Sequence, residues 1–298
     1  MRHVAGWLAL MTMAGLVGLS VPARGDDGPK TEDTEIAKLD RAVTLHPDDA
    51  RGYLARGDAL ARRGETDRGI ADLTKAIHLD PKLGPAFGVR GVLWGVKAEH
   101  DKAIADLTEA IRLDSVNAAS HLHNRGVAWA KKGNQDRCLE DITAAIRLKP
   151  REDPLYRARA ATWWAKGDAS RQIVDLTEAI RLEPDEAGAY TFRGLAYQRK
   201  GEWDRSIEDF REAIRLEPKN GAAYYLRGVS WRSKKEWDRA IADQSEAIRL
   251  NAKDSAAYVA RAEARIEKGD LAGAQSDISQ AERLDAEQVE ARRRDPKQ

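Results

Sequence analysis

Apolar residues along this chain recur at helical spacing in paired runs, and the pair repeats every 34 residues. The tetrapeptide Ala-Ile-Arg-Leu, beginning at Ala110, Ala145, Ala179, Ala213 and Ala247, sets the register. Full units begin at Ala50, Gly84, Ala119, Asp153, Ala187, Gly221 and Ser255, with one residue inserted near Ala118, and a half unit over 31–49 precedes them. In each unit the i, i+3, i+4 pattern predicts two helices, A and B. Helix A is interrupted at the fifteenth place by Gly64, Gly133, Gly167, Gly201 and Gly269, a residue able to take the left-handed conformation that ends a helix. Asp67, Asp101, Asp136, Ser170, Asp204 and Asp238 stand three residues later and are expected to cap helix B. Pro47, Pro81, Pro150, Pro184 and Pro218 close helix B, so each unit reads as a helical hairpin.

Small residues occupy the eighth place of helix A (Gly57, Gly91, Gly126, Ala160, Gly194, Gly228, Ala262), where mid-helix glycine costs about 1 kcal/mol unless close packing compensates. The expected partners are the alanines of the twenty-seventh place, from Ala42 and Ala76 to Ala281. Trp94, Trp129, Trp163, Tyr197 and Trp231 recur at the eleventh place and are read as core. Arginine fills the seventh place of every unit, and aspartate answers sixteen residues later, from Arg56 and Asp72 to Arg261 and Asp277. In an antiparallel hairpin these two places approach, which predicts a structural ladder of charge-assisted hydrogen bonds.

With small residues at the eighth, twentieth and twenty-seventh places, an aromatic at the eleventh and proline at the thirty-second, residues 31–288 resemble the tetratricopeptide repeat family. Departures are Gln172 and Ser206 at a small-apolar place, and Ser115, Ala252 and Ala286 where proline is usual. The resemblance implies an all-α, right-handed α-solenoid of tandem helical hairpins. It also implies a non-catalytic protein–protein interaction scaffold whose A helices line a concave groove for a peptide or segment of another protein. Carried over place by place, the groove holds Arg62, Val92 and Val96, then Asn124, Val127 and Lys131. It continues through Arg157 and Trp164, then Phe192, Leu195 and Arg199, and then Tyr225, Val229 and Arg232. The places used elsewhere in the family for a carboxylate clamp read Leu54 and Asp58, Gly88 and Val92, His123 and Val127, so no clamp is expected.

The N-terminus changes the setting. Met1, Arg2 and His3 precede an apolar run over 4–21, followed by Pro22, Ala23, Arg24 and Gly25, the order of an export signal cleaved near residue 25. This predicts an exported chain, periplasmic or extracellular; the alternative is an anchor over 4–21, long enough at about 1.5 Å per residue to cross a bilayer. The expected organisation is a signal over 1–25, a linker over 26–30, the half repeat over 31–49, seven repeats over 50–288 and a charged tail over 289–298. Cys138 is the only cysteine, so stability has to come from packing rather than disulfides. Charged residues make up 33% of the chain but nearly cancel, at a formal net charge of +1, which offers no footprint for nucleic acid.

Chemistry is sparse. There is no phosphate loop, nucleophile elbow or His-Glu-x-x-His helix. The reading is therefore not an enzyme, with no cofactor, no metal and another protein as partner. A structural, self-associating component of an envelope assembly is the alternative. His121 and His123, two apart on a helix, point away from each other and are read as surface residues; Cys138 is read as a buried, inert thiol. The last helix is expected to be a terminal cap, because Gln275 and Glu282 replace the isoleucines of earlier units, with fraying beyond residue 288.

Overall fold

The computed structural model describes residues 29–294, and the signal-like segment lies outside them. Every regular element among the described residues is an α-helix. Two units are described separately. The first holds α1 (Pro29–Leu45), α2 (Ala50–Arg62), α3 (Thr66–Leu79), α4 (Gly84–Val96), α5 (His100–Leu113), α6 (Ala118–Lys131), α7 (Gln135–Leu148) and α8 (Asp153–Lys166). The second holds α9 (Ala169–Leu182), α10 (Ala187–Arg199), α11 (Trp203–Leu216), α12 (Gly221–Ser233), α13 (Trp237–Leu250), α14 (Ser255–Lys268) and α15 (Leu271–Arg294). Within each unit the hairpins stack in chain order, each helix packing against the next.

The turns follow the glycine signal. Gly64, Gly133, Gly167, Gly201 and Gly269 have φ between +74° and +84°. After α2, the Gly64 N–H donates to the Ala61 carbonyl (3.0 Å) and the Glu65 N–H to the Leu60 carbonyl (2.9 Å), a paired closure that satisfies the last carbonyls of the helix. Where glycine is missing, Ala98 (φ 59°) and Lys235 (φ 61°) are forced into the same conformation.

The aspartates expected to cap the B helices do something else. The turn places the cap two residues earlier, at Glu65, Glu99, Asn134, Asp168, Glu202 and Glu236; of these only Asn134 and Asp168 accept a backbone N–H through the side chain. Asp67 and Asp136 instead sit inside the first helical turn and accept from Lys97 (2.5 Å) and Lys166 (2.7 Å) of the following hairpin's helix A. Asp101 with Lys132, Asp204 with Lys234 and Asp238 with Lys268 repeat the pairing.

The mid-helix glycines do admit close contact, but with a different partner. A Cβ on Gly57 would lie 2.9 Å from Leu73 Cγ, one on Gly91 2.8 Å from Leu107 Cγ, and one on Gly194 2.8 Å from Phe210 Cε1. The residue received is thus the large one at the twenty-fourth place. The twenty-seventh-place alanines face the next hairpin: Ala76 clusters with Ala86, Ala145 with Leu155 and Ala247 with Ala257. Between hairpins, the twentieth place meets the tenth of the following helix A with matched sizes, Gly69 beside Leu93 and Ala103 beside Ala128. Polar matches also occur there: Cys138 Sγ lies 3.2 Å from Thr162 Oγ1, and Ser206 Oγ lies 2.8 Å from Ser230 Oγ.

Both ends of the repeat region run longer than expected. α1 starts at Pro29, since proline suits a first helical position. α15 continues to Arg294, beyond residue 288 where the repeats were expected to end, because Ala286 replaces the closing proline and the residues that follow are mostly good helix formers. Gln275 and Glu282 are exposed on it, as their polarity requires.

Candidate A-helix binding face

The face is held in place by the arginine ladder. Arg90 Nε and Nη2 donate to the two Asp106 oxygens at 2.7 and 2.9 Å, and Nη1 reaches Thr74 Oγ1 of the preceding hairpin at 3.1 Å. The same bidentate geometry joins Arg56 to Asp72, Arg125 to Asp141, Arg193 to Asp209, Arg227 to Asp243 and Arg261 to Asp277. Each guanidinium therefore ties one hairpin together, and through Nη1 most of them also reach the helix before it. Tyr53, Phe87, Tyr190, Tyr224 and Tyr258 lie under the same arginines, with guanidinium carbons 5.6–5.8 Å from the ring centres. These charges are engaged inside the scaffold and do not form an anion-binding row.

In the first unit Val96 is 53% exposed, Lys131 is exposed, and Arg62, Val92, Arg157 and Trp164 are half-buried. Arg62 pairs with Glu35 (3.2 Å) and Asp58 (3.3 Å), and Arg157 with Asp153 (2.9 Å). Asn124 and Val127 are buried, because α6 is packed on that side by its neighbours, and they present no contact surface. In the second unit Phe192, Tyr225, Val229 and Arg232 are half-buried and Arg199 is exposed, whereas Leu195 is buried. Burial, with Asp254 nearby, pushes the Tyr225 hydroxyl above its usual pKa.

Sequence reasoning passed over two exposed apolar residues of the A helices. Val259 and Ile266, at the fifth and twelfth places of α14, are 43% and 46% exposed. The family resemblance assigns the fifth and twelfth places to the groove, and that position was the signal that could have found them beside the charges of Glu263 and Glu267.

The histidines are the main correction. Neither is on the surface. His121 is buried, its Nε2 3.0 Å from Asp114 Oδ2, and its ring fills the space that a side chain on Gly88 would need. Asp114 also accepts from the Asn117 side chain at 2.8 Å, so this knot replaces the missing proline at the inserted residue. Burial pushes the Asp114 carboxyl up, but the bonds from Asn117 and His121 hold it below its usual value. His123 is buried with Nε2 unpartnered, and burial lowers its pKa. Burial raises the pKa of Cys138, in keeping with an inert thiol.

The aromatics of the eleventh place are half-buried, with Trp94 and Trp129 packed against core clusters, and several carry a cation over the ring: Lys102 over Trp94 (4.5 Å), Arg137 over Trp129 (4.4 Å) and Arg239 over Trp231 (4.7 Å). The B helices carry ion-pair rows, Glu109 with Arg112 and Glu178 with Arg181, and again Glu212 with Arg215 and Glu246 with Arg249. B-helix surfaces are thus laced with their own charge pairs but also expose Leu45, Leu148, Val174 and Leu271, while the A helices expose Val96, Val259 and Ile266.

A family model described as tetratricopeptide repeat matches residues 33–83 and 191–255. No curated protein matches the sequence. Among solved structures, the C-terminal part of a repeat-containing protein from Cytophaga hutchinsonii is similar at 18% identity and a TM-score of 0.69, over 77% of this chain and 94% of that one. A tetratricopeptide repeat protein from Parabacteroides merdae is similar at 16% identity and a TM-score of 0.59, over 79% and 93%. A chain of the APC/C hetero-tetramer Cut9-Hcn1 gives 20% identity and 0.59, over 78% of this chain but only 46% of that one, so this chain spans about half its length. These likenesses are of fold. With the family model matched in two stretches and the same hairpin recurring through both units, residues 33–83 and 191–255 are similar in sequence to tetratricopeptide repeats and the described residues share their fold.

Proposed function

We propose that this protein is a non-catalytic scaffold that binds a segment of another protein across its A helices. One observation carries the reading: Val96, Val259 and Ile266 stand in solvent at places of the A helices to which the family resemblance assigns ligand contact. Exposed apolar side chains are the material of interaction surfaces, and half-buried aromatics such as Trp164, Phe192 and Tyr225 are the residues that concentrate binding energy. The self-associating alternative would instead draw on the apolar side chains that the B helices expose, Leu45, Leu148, Val174 and Leu271.

The test is recovery of partners from an envelope extract by the native chain and by a Trp164→Ala, Phe192→Ala, Tyr225→Ala triple variant of unchanged helicity. Loss of specific partners supports the reading, and equal recovery of every partner overturns it. The setting outside the cytoplasm rests on the sequence of residues 1–25. An intact mass of the cellular protein starting near Asp26 supports it, and a mass including Met1 contradicts cleavage.

A further inference from the structure

On α12, Tyr225, Val229 and Arg232 are spaced i, i+4, i+7 and lie along one face; on α14, Val259, Glu263 and Ile266 have the same spacing at the same places of the next hairpin. The two strips are neighbours, because the Arg232 guanidinium is ion-paired with the Glu263 carboxylate across them. The result is a face of four apolar side chains around a charge pair that answers itself, with the exposed Glu267 carboxylate following Ile266 in the chain. The other cations of α14 are also engaged, Arg265 by Asp277 (2.8 Å) and Lys268 by Asp238.

Resting on the groove reading above, we infer that the α12–α14 face takes an uncharged, apolar segment of a partner protein, and not an acidic or basic one. An acidic segment would gain from Arg232 only by meeting Glu263, and a basic one would meet the reverse. In either case a charge would be desolvated beside a pair already satisfied, a cost without a matching gain. An apolar segment covers Tyr225, Val229, Val259 and Ile266 and leaves the pair intact, so the charges select against the wrong partner.

The test uses an array of peptides of about 12 residues graded in net charge and apolar content, probed with the full chain, with Val259→Asp, Ile266→Asp, and with the milder Val259→Ser, Ile266→Ser. Both positions are exposed, and circular dichroism verifies that the variants fold. The expected result is retention of uncharged apolar peptides, unchanged between about 50 and about 500 mM salt, a range over which charge screening strengthens severalfold. Binding should fall at least about tenfold in the aspartate variant and less in the serine variant, a tenfold loss being about 1.4 kcal/mol. Preference for charged peptides, a signal that collapses with salt, no retained peptide, or full binding by both variants would overturn the inference. If full binding by both coincides with loss in the Trp164, Phe192, Tyr225 triple variant, the groove reading stands and only the assignment of this face fails.

Discussion

Arg193→Met removes the donor from a carboxylate whose side chain is only 6% exposed, while Arg193 itself is 17% exposed. Asp209 loses bonds of 2.9 and 2.7 Å and stays in a site where burial already pushes its carboxyl up against the pull of Arg193. Breaking one side of such a pair costs about 3 kcal/mol or somewhat more. Asp209→Leu alone costs less, about 1–2 kcal/mol, because Arg193 keeps Thr177 Oγ1 (3.2 Å) and the Tyr190 ring and can reach water. The double variant leaves no unpaired charge and should lie within about 1 kcal/mol of the native chain, a coupling of roughly 3 kcal/mol. At about 2–4 °C per kcal/mol, the single arginine variant should melt about 6–12 °C lower. Melts followed by circular dichroism for all four members of the cycle measure this.

Acid gives a second readout. In Arg193→Met the folded pKa of Asp209 lies above the unfolded value of about 3.9, so the folded state binds the proton more tightly. The penalty is absent below about pH 4 and builds as pH rises through the folded value. The gap to the native chain should therefore shrink from about pH 7 to about pH 4. Additive losses, or a gap that widens in acid, would refute the pairing.

Three further outcomes follow from single sites. Ala98→Gly and Lys235→Gly should each raise stability by up to about 1 kcal/mol in urea titrations, since both residues hold positive φ, and Gly64→Ala should lower it by a similar amount with nothing within 4 Å to clash. Gln244→Leu should stabilise by about 1 kcal/mol in the same assay: its Oε1 is buried without a partner at the place where Leu73 and Leu107 pack. For His123, whose folded pKa burial holds below the ordinary histidine value of about 6.5, stability is held above that value and lost as pH falls through the folded one; melts at about pH 7, 6 and 5 should show the loss in the native chain and not in His123→Leu.

The hairpin boundaries were legible because the sequence repeats them: seven units carry the same arginine, the same alanine and, in five cases, the same turn glycine. The ladder was legible for the same reason, since its partners always stand sixteen positions apart. What one period cannot reveal is which of two equally regular candidates makes a contact. Glycine at the eighth place could have met the twenty-seventh or the twenty-fourth residue, and Asp67 could have capped its own helix or reached Lys97; only helix rotation decides. A usable signal was there, because aspartate at the eighteenth place of one unit is answered by lysine at the fourteenth place of the next. It is broken only where Ser170 replaces the aspartate, and there Lys200 turns to Glu202 (2.8 Å). His121 and His123 were misplaced because the inserted residue at the start of α6 breaks the local pattern, so polarity was taken for exposure. Of the candidate site, the register gave each residue its place on an A helix, but burial of Asn124, Val127 and Leu195 depends on how closely adjacent A helices pack.

The central claim is that partners meet the A helices and not the B helices. A photo-cross-linking residue placed at Val96 or Ile266, and in parallel at the exposed B-helix position Val174, tests it directly in native extract. Discrete cross-linked proteins from the two A-helix positions, with none from Val174, are the predicted result. The same adducts from Val174 alone, or from all three positions equally, would contradict the account.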